Sequence, residues 1–131
     1  MTSKIGETYK TKWFEFTIHS IDKVSSYAGH TAEEGHQFYK VLITEKNISD
    51  DSIPMGIFDF YMDAPTFNEY IWAIPPLDET MMPEAFDLES GETVQHIMIF
   101  DVPTGTTQMA LTYTENFENG EDGATFTISV K

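Results

Sequence analysis

The sequence has no cysteine and no arginine, and each absence excludes a kind of chemistry. Without cysteine the chain has no thiol nucleophile, no thiolate zinc site and no disulfide. Without arginine it has no guanidinium fork for paired hydrogen bonds to phosphate or carboxylate. The redox compartment stays open, because cysteine-free chains occur on both sides of a membrane.

Positive charge is scarce and lies almost entirely in the first third of the chain. Residues 1–46 carry six lysines and six acids, whereas residues 47–130 carry sixteen acids and no lysine or arginine, and the net charge is −15. Such a surface repels nucleic acids and anionic membranes, so we expect neither as a partner. Solubility is the simplest role for this charge, and the sharper alternative is binding of a divalent cation or a basic partner.

Long apolar runs are also missing. No stretch approaches the roughly twenty apolar residues of a transmembrane helix. The opening "MTSKIGETYK" lacks the apolar core of a signal peptide, so none is visible in this chain. The 131 residues, 40% of them apolar, predict a single domain over 1–131 with a sizeable core.

What the sequence does have is apolar side chains at every second position, which predicts strands. Six such runs, separated by glycine and proline, indicate an all-β sandwich or barrel. The predicted inward faces include Phe14, Phe16 and Ile18; Tyr39, Val41 and Ile43; Phe58 and Phe60; Val94, His96, Met98, Phe100 and Val102; Met109, Leu111 and Tyr113; and Phe126, Ile128 and Val130. Short helical turns are predicted only at 25–36, where Thr31 and Glu34 have capping-box spacing, and at 81–87.

Residues 63–85 break the alternation. This segment carries four prolines and several aromatic residues, and we predict a short strand at about 68–74 followed by an extended connection. Its candidate partner-binding residues are Phe67, Tyr70 and Trp72, with Tyr61 and Trp13 as further members of an aromatic platform. The alternative is that these rings pack the core, as aromatic side chains usually do.

Two loops are candidate metal sites. In the acidic loop 115–123, the candidate calcium ligands are Glu115, Glu118, Glu121 and Asp122, although the spacing is not that of an EF-hand. In the loop 30–36, a zinc or nickel set is conceivable from His30, Glu33, Glu34 and His36. For both loops the alternative is an ordinary solvated loop.

The stretch "FDLESGETVQHIMIFDVP" (86–103) is the most patterned in the chain, and we predict that it is scaffold. Gly91 lies in a polar turn, where glycine supplies a backbone conformation closed to other residues. The strand that follows ends at Pro103, because proline cannot donate to the ladder.

This stretch also carries a resemblance. Its leucine, turn Gly-Glu, apolar strand and Phe-x-Val-Pro resemble a family of Ig-like, telokin-like domains of unknown function from Gram-positive secreted proteins and lipoproteins. "KIGETYKTKWFEFTIHSID", "GHQFYKVLITEKNISDDSI" and "LTYTE" are similar to other parts of that family. The resemblance spans nearly the whole chain and implies an Ig-like antiparallel β-sandwich of about seven to nine strands. It implies an extracellular or cell-surface location, membrane-anchored in a full-length precursor, and it transfers no catalytic residues.

The expected function is therefore a non-enzymatic binding or interaction module for an unknown protein or glycan. The sequence has no Gly-x-Ser-x-Gly, no P-loop and no His-Glu-x-x-His, so an enzyme is the least favoured class. The alternative is a calcium-responsive structural domain. We expect no resident cofactor other than that calcium, and a monomer or weak dimer.

Overall fold

A computed structural model describes residues 2–3, 5–116 and 122–130. Thirteen strands and one 3-10 helix are assigned there: β1 (Thr2–Ser3), β2 (Thr8–Lys10), β3 (Phe14–Val24), β4 (Ser26–Tyr27), β5 (His30–Thr31), β6 (His36–Asn47), β7 (Ile53–Met55), the 3-10 helix (Ile57–Asp59), β8 (Phe60–Asp63), β9 (Ile71–Trp72), β10 (Phe86–Leu88), β11 (Thr93–Pro103), β12 (Met109–Asn116) and β13 (Asp122–Val130).

Two sheets face each other as an Ig-like sandwich. Within the described residues one sheet has the order β1-β13-β12-β8-β9 and the other β11-β6-β3-β2, so nine strands form the sandwich. The pairings are antiparallel except that β1 runs parallel to β13. Two short ribbons, β7 with β10 and β4 with β5, lie outside these sheets. The predicted fold class and strand number are confirmed.

The main core lies between the two sheets and is rich in aromatic rings. The Phe16 ring, from the four-stranded sheet, lies edge-on to Phe60 and to Phe126 of the other sheet, with centroids 5.2 and 5.8 Å away. The predicted inward faces of β3 and β6 are buried, as the alternation requires. A smaller cluster around Phe38, Met81 and Ile99 packs on the outer side of the four-stranded sheet.

Both predicted helical turns are wrong. In the 25–36 segment, β4 and β5 form a hairpin with a two-residue turn at Ala28-Gly29, where both φ angles are positive (50° and 82°). That turn matches the twist of paired strands and outweighs the capping-box spacing at Thr31. In the 81–87 segment, Met81 forms a parallel bridge with Ile97, and the chain then enters β10.

Two predicted strands are shorter than expected. In "IFDFYM" the strand begins only at Phe60, because Asp59 accepts the backbone N–H of Gly56 and holds residues 57–59 in the 3-10 helix. Phe58 is consequently 60% exposed and does not share the buried face of Phe60. In 68–74 only Ile71–Trp72 is a strand, at the edge of its sheet, and the prolines that follow leave the rest irregular.

Candidate binding surface

Four aromatic side chains form a continuous surface strip. We call Phe58, Tyr61, Tyr70 and Trp72 the aromatic strip. Tyr61 stacks on Tyr70 with ring centroids 4.2 Å apart, and Trp72 lies edge-on to Tyr61 at 5.4 Å and to Phe58 at 6.0 Å. Phe58, Tyr70 and Trp72 are 60%, 51% and 42% exposed, so three of the four rings face solvent.

The strip is built by strand register and by the 3-10 helix. Tyr61 on β8 is paired directly with Trp72 on β9, which places their side chains on the same face of the sheet. The preceding 3-10 helix turns Phe58 out of the core and onto Trp72. Two of the three sequence-predicted partner residues, Tyr70 and Trp72, therefore come together, whereas Phe67 packs against the main core.

A cavity of about 300 Å³ lies beside the strip, between the two sheets. Phe58 borders both the cavity and the aromatic strip. Trp13, predicted as a platform member, lies on the cavity wall and not in the strip. The cavity is lined by Trp13, Phe14, Ile53, Pro54, Met55, Phe58, Asp59, Tyr113 and Thr114.

One acidic side chain lines this cavity, and a second interacts with it. Asp59 is part of the lining, and Glu45, on the inward face of β6 and only 1% exposed, is close enough to be affected by the charge of Asp59. Neither carboxylate oxygen of Glu45 has a hydrogen-bond partner among the described residues. Burial, reinforced by the charge of Asp59, raises the pKa of Glu45 to about 8. Burial also raises the pKa of Asp59 to about 6, against the opposing effect of the hydrogen bond from Gly56.

Sequence reasoning missed this carboxyl pair, although one signal was present. Glu45 has the parity of Tyr39, Val41 and Ile43, so the alternation that predicts their burial also predicts an acid on the buried face. Asp59 had no comparable signal, because its position depends on a 3-10 helix that the apolar pattern hides.

The predicted calcium loop falls largely outside the described residues. Glu118 and Glu121 are not described, and only the backbone of Glu115 and Asp122 is, in β12 and β13. Calcium binding by this loop remains a prediction.

The 30–36 loop brings part of its predicted metal set together. His36 Nδ1 lies 3.0 Å from Asp101 Oδ1, and His36 Nε2 lies 3.9 Å from Glu33 Oε2. The three side chains can each offer a ligand atom within 4.8 Å of one another, but His30 and Glu34 are not among them. Glu33 is 75% exposed, and the bond to Asp101 already accounts for the orientation of His36.

The 86–103 stretch is scaffold in the structure. Gly91 has a φ of +77° in the turn, and its N–H donates to the carbonyl of Asn47. Asn47 is fully buried, and its amide donates to the carbonyls of Leu88 and Asp51. The Asn-x-Ser motif thus ties the 47–51 loop to the Gly91 turn, and burial keeps its amide from solvent.

His96 lies on the same strand, partly buried as predicted. Its ring is edge-on to Phe86 at 5.1 Å, and burial lowers its pKa. Its Nδ1 has no hydrogen-bond partner within the described part of the chain.

The family is now clear from comparison with known proteins. The model of the family described as "Domain of unknown function (DUF4352)" matches residues 3–124, and the chain belongs to that family. A search of curated proteins gives no match. None of the helices in the described residues is long and apolar enough to cross a membrane.

Several solved structures have the same fold. The ycdA protein of Bacillus subtilis, a candidate lipoprotein, is 17% identical with a TM-score of 0.69, over 93% of this chain and 38% of its own. The present chain thus spans well under half of that protein. A secreted Mycobacterium tuberculosis protein, MPT63, is 14% identical with a TM-score of 0.68, over 99% and 97% of the two chains. An uncharacterised β-sandwich protein of Clostridium difficile is 16% identical with a TM-score of 0.60, over 100% and 95%.

Proposed function

We propose that this chain is a non-enzymatic binding module that captures a protein or glycan partner on its aromatic strip. The observation that carries the proposal is the contiguity of the strip, in which three exposed rings contact one another or share contact with Tyr61. Aromatic side chains supply large, rigid contact areas and are enriched where binding energy concentrates.

The strip's position supports this role. It spans β8 and β9, and β9 is the edge strand of its sheet within the described residues, so a partner on the rings also lies beside a sheet edge. The rings hold one another in place, which lowers the entropy that binding would cost. Flat stacked rings suit both the apolar faces of sugars and apolar side chains of a protein.

A binding role is favoured over catalysis by the state of the acids. Strongly perturbed carboxyls are the groups most often suspected of catalysis. Glu45, whose pKa is the most perturbed among the described groups, is 1% exposed and is not part of the cavity lining, so a bound substrate would not contact it.

The proposed location is the bacterial cell surface or the extracellular space. Support comes from the fold neighbours, which include a candidate lipoprotein and a secreted protein. The acidic surface, with a net charge of −15, suits a soluble module that avoids anionic lipid.

The test is partner capture by a strip variant. The variant Tyr70→Ala/Trp72→Ala should lose at least about tenfold in binding to glycan arrays, purified cell-wall polymer or secreted-protein fractions from a Gram-positive bacterium. The matched control is Ile5→Ala/Ile48→Ala, which truncates two exposed apolar side chains outside the strip, 45% and 38% exposed.

Both variants should unfold cooperatively, because the truncated side chains lie at the surface. The partner class is assigned by the fraction that loses binding. Capture by the strip variant at the level of the wild type and the control would contradict the proposal.

A further inference from the structure

The cavity between the sheets has the size and walls of a small ligand site. Its volume of about 300 Å³ lies at the lower end of typical pockets. Its walls come from both sheets, from β7 and from the 3-10 helix, so most of them are held by regular structure. Aromatic rings contribute on several sides, through Trp13, Phe14, Phe58 and Tyr113.

The charge at the cavity is negative and poorly balanced. Asp59 is on the wall, and its Oδ2 accepts the N–H of Gly56 at 2.9 Å. Glu45 lies close enough for the two charges to repel, and none of the described residues hydrogen-bonds to it. Once Glu45 ionises, its buried carboxylate without a partner destabilises the fold, so a cation that reaches the site would reduce that cost.

The groups around Glu45 show that the fold itself supplies little compensation. Its register partners on β3 and β11 are Phe16 and Val94, both apolar. Asp59 is the charged group that acts on it. Lys12 Nζ lies 5.4 Å from the centroid of the Trp13 ring, so this ring can pack against an ammonium group.

We propose that this cavity binds an organic cation, an ammonium or guanidinium group, whose charge pairs with Asp59 and whose face contacts the aromatic walls. Such a group belongs either to a small amine or to a lysine or arginine side chain of a partner. Glu45, which interacts electrostatically with Asp59, adds a second negative charge when it releases its proton. Aromatic rings with an adjacent carboxylate are the usual means of recognising such cations.

A bare metal ion fits this cavity less well. Calcium takes six to eight oxygen ligands, and zinc favours imidazole or thiolate. In the cavity lining, carboxylate and hydroxyl oxygens are contributed by Asp59, Thr114 and the Tyr113 phenol, and the other side chains are apolar apart from the Trp13 indole N–H. An organic cation uses the apolar walls, whereas a metal ion cannot.

The site is independent of partner capture by Tyr70 and Trp72, so the two proposals fail separately. The probes are n-butylammonium and Nα-acetyl-lysine methylamide, with neutral Nα-acetyl-norleucine methylamide and calcium chloride as comparisons. Binding is measured by calorimetry, and by Trp13 fluorescence in a Trp72→Phe background. The Tyr70→Ala/Trp72→Ala variant should keep its affinity for the cations.

Two conservative variants separate the roles of the acids. Asp59→Asn, which keeps an oxygen for Gly56, should weaken cation binding about tenfold or more. Glu45→Gln mimics the protonated acid. At pH 6 the variant should bind the cation as tightly as wild type does, whereas at pH 8.5 its affinity should be about fivefold lower than that of wild type. The wild-type affinity should rise between these two pH values.

The relative affinities of the probes identify the source of the cation. Preferential binding of the blocked lysine over butylammonium would support the site and assign it to a partner side chain, and the reverse preference would support it and assign it to a small amine. Equal binding of the neutral norleucine compound, calcium binding in place of the amines, or full affinity in Asp59→Asn would overturn the proposal.

Discussion

At the scale of single residues, two buried polar side chains on β6 differ in whether their polar groups have hydrogen-bond partners. Asn47 is fully buried, and its side-chain amide is fully hydrogen-bonded, since its NH₂ group donates twice and its oxygen accepts from the Ser49 N–H and hydroxyl. Glu45, two positions earlier on the same strand, has no described partner. A satisfied buried amide is explained by the fold, whereas an unsatisfied acid calls for a ligand or for a cost in stability.

The Asn47 network gives a prediction about stability. Asn47→Ala removes the partner of the buried Leu88 carbonyl and of the part-buried Asp51 carbonyl and Ser49 N–H, so the free energy of unfolding should fall by about 2–4 kcal/mol. Urea unfolding at pH 7 measures it. Ser49→Ala, which leaves both amide donors of Asn47 bonded, is the control and should cost less than about 1.5 kcal/mol. Equal losses of stability in the two variants would show that the two hydrogen bonds donated by the Asn47 amide add nothing to stability.

At the scale of elements, the 3-10 helix determines where both candidate sites lie. It turns Phe58 outward to the aromatic strip and sets Asp59 in the cavity wall. Its start at Gly56 passes close to another segment, and a Cβ at that position would lie 2.1 Å from the Glu84 carbonyl oxygen. A close approach of two backbones therefore requires glycine here, not a special φ angle.

Gly56→Ala should accordingly be among the most damaging single-methyl substitutions. Two backbone segments must separate, and we expect the free energy of unfolding to fall by about 2–3 kcal/mol, with weaker cation binding as Asp59 shifts. Gly35→Ala is the control: it has open space around the added methyl but a φ of +82°, so it should cost about 1 kcal/mol. Urea unfolding of both variants decides this, and a Gly56→Ala loss no greater than that of Gly35→Ala would refute the steric explanation.

The strands show what sequence can and cannot predict. The alternation along β3, β6 and β11 predicts their buried faces, because a side chain's face follows directly from its position in a strand. The same reasoning fails at Phe58, where a hydrogen bond from Gly56 to Asp59 overrides the alternation. A different signal, the capping-box spacing of Thr31 and Glu34, misleads near Ala28-Gly29, since an alanine with positive φ has no strong local signal. Most of the aromatic strip was predicted: Tyr61, Tyr70 and Trp72 are in it, but Phe58 enters only through the 3-10 helix.

At the scale of the whole molecule, the charge and the sandwich act together on stability. The net charge of −15 disfavours the compact state through self-repulsion, and the effect grows as acids ionise. The raised pKa of Glu45 acts in the same direction, because the native state holds its proton more tightly than the unfolded chain does. Both effects make the fold less stable as pH rises through neutrality.

The pH dependence of unfolding should therefore have an identifiable component. In the unfolded chain the pKa of Glu45 is near its ordinary value of 4.5, and in the fold it is about 8. Between pH 6 and 8 it should remove roughly 2–3 kcal/mol from the free energy of unfolding. Asp59, with a pKa of about 6, acts mainly below that window.

Urea unfolding at half-unit steps from pH 5 to 9, in enough salt to screen surface charge, isolates this component. Glu45→Gln should flatten the curve between pH 6 and 8 and be more stable than wild type at pH 8.5. Glu69→Gln removes an exposed acid and should run parallel to wild type. Butylammonium at pH 8.5 should stabilise both proteins but the wild type more than Glu45→Gln, because only the wild type then holds a buried carboxylate for the cation to offset. If wild type and Glu45→Gln fall in parallel across this range, the carboxyl of Glu45 is not held protonated by the fold, and the linkage between pH and cation binding fails with it.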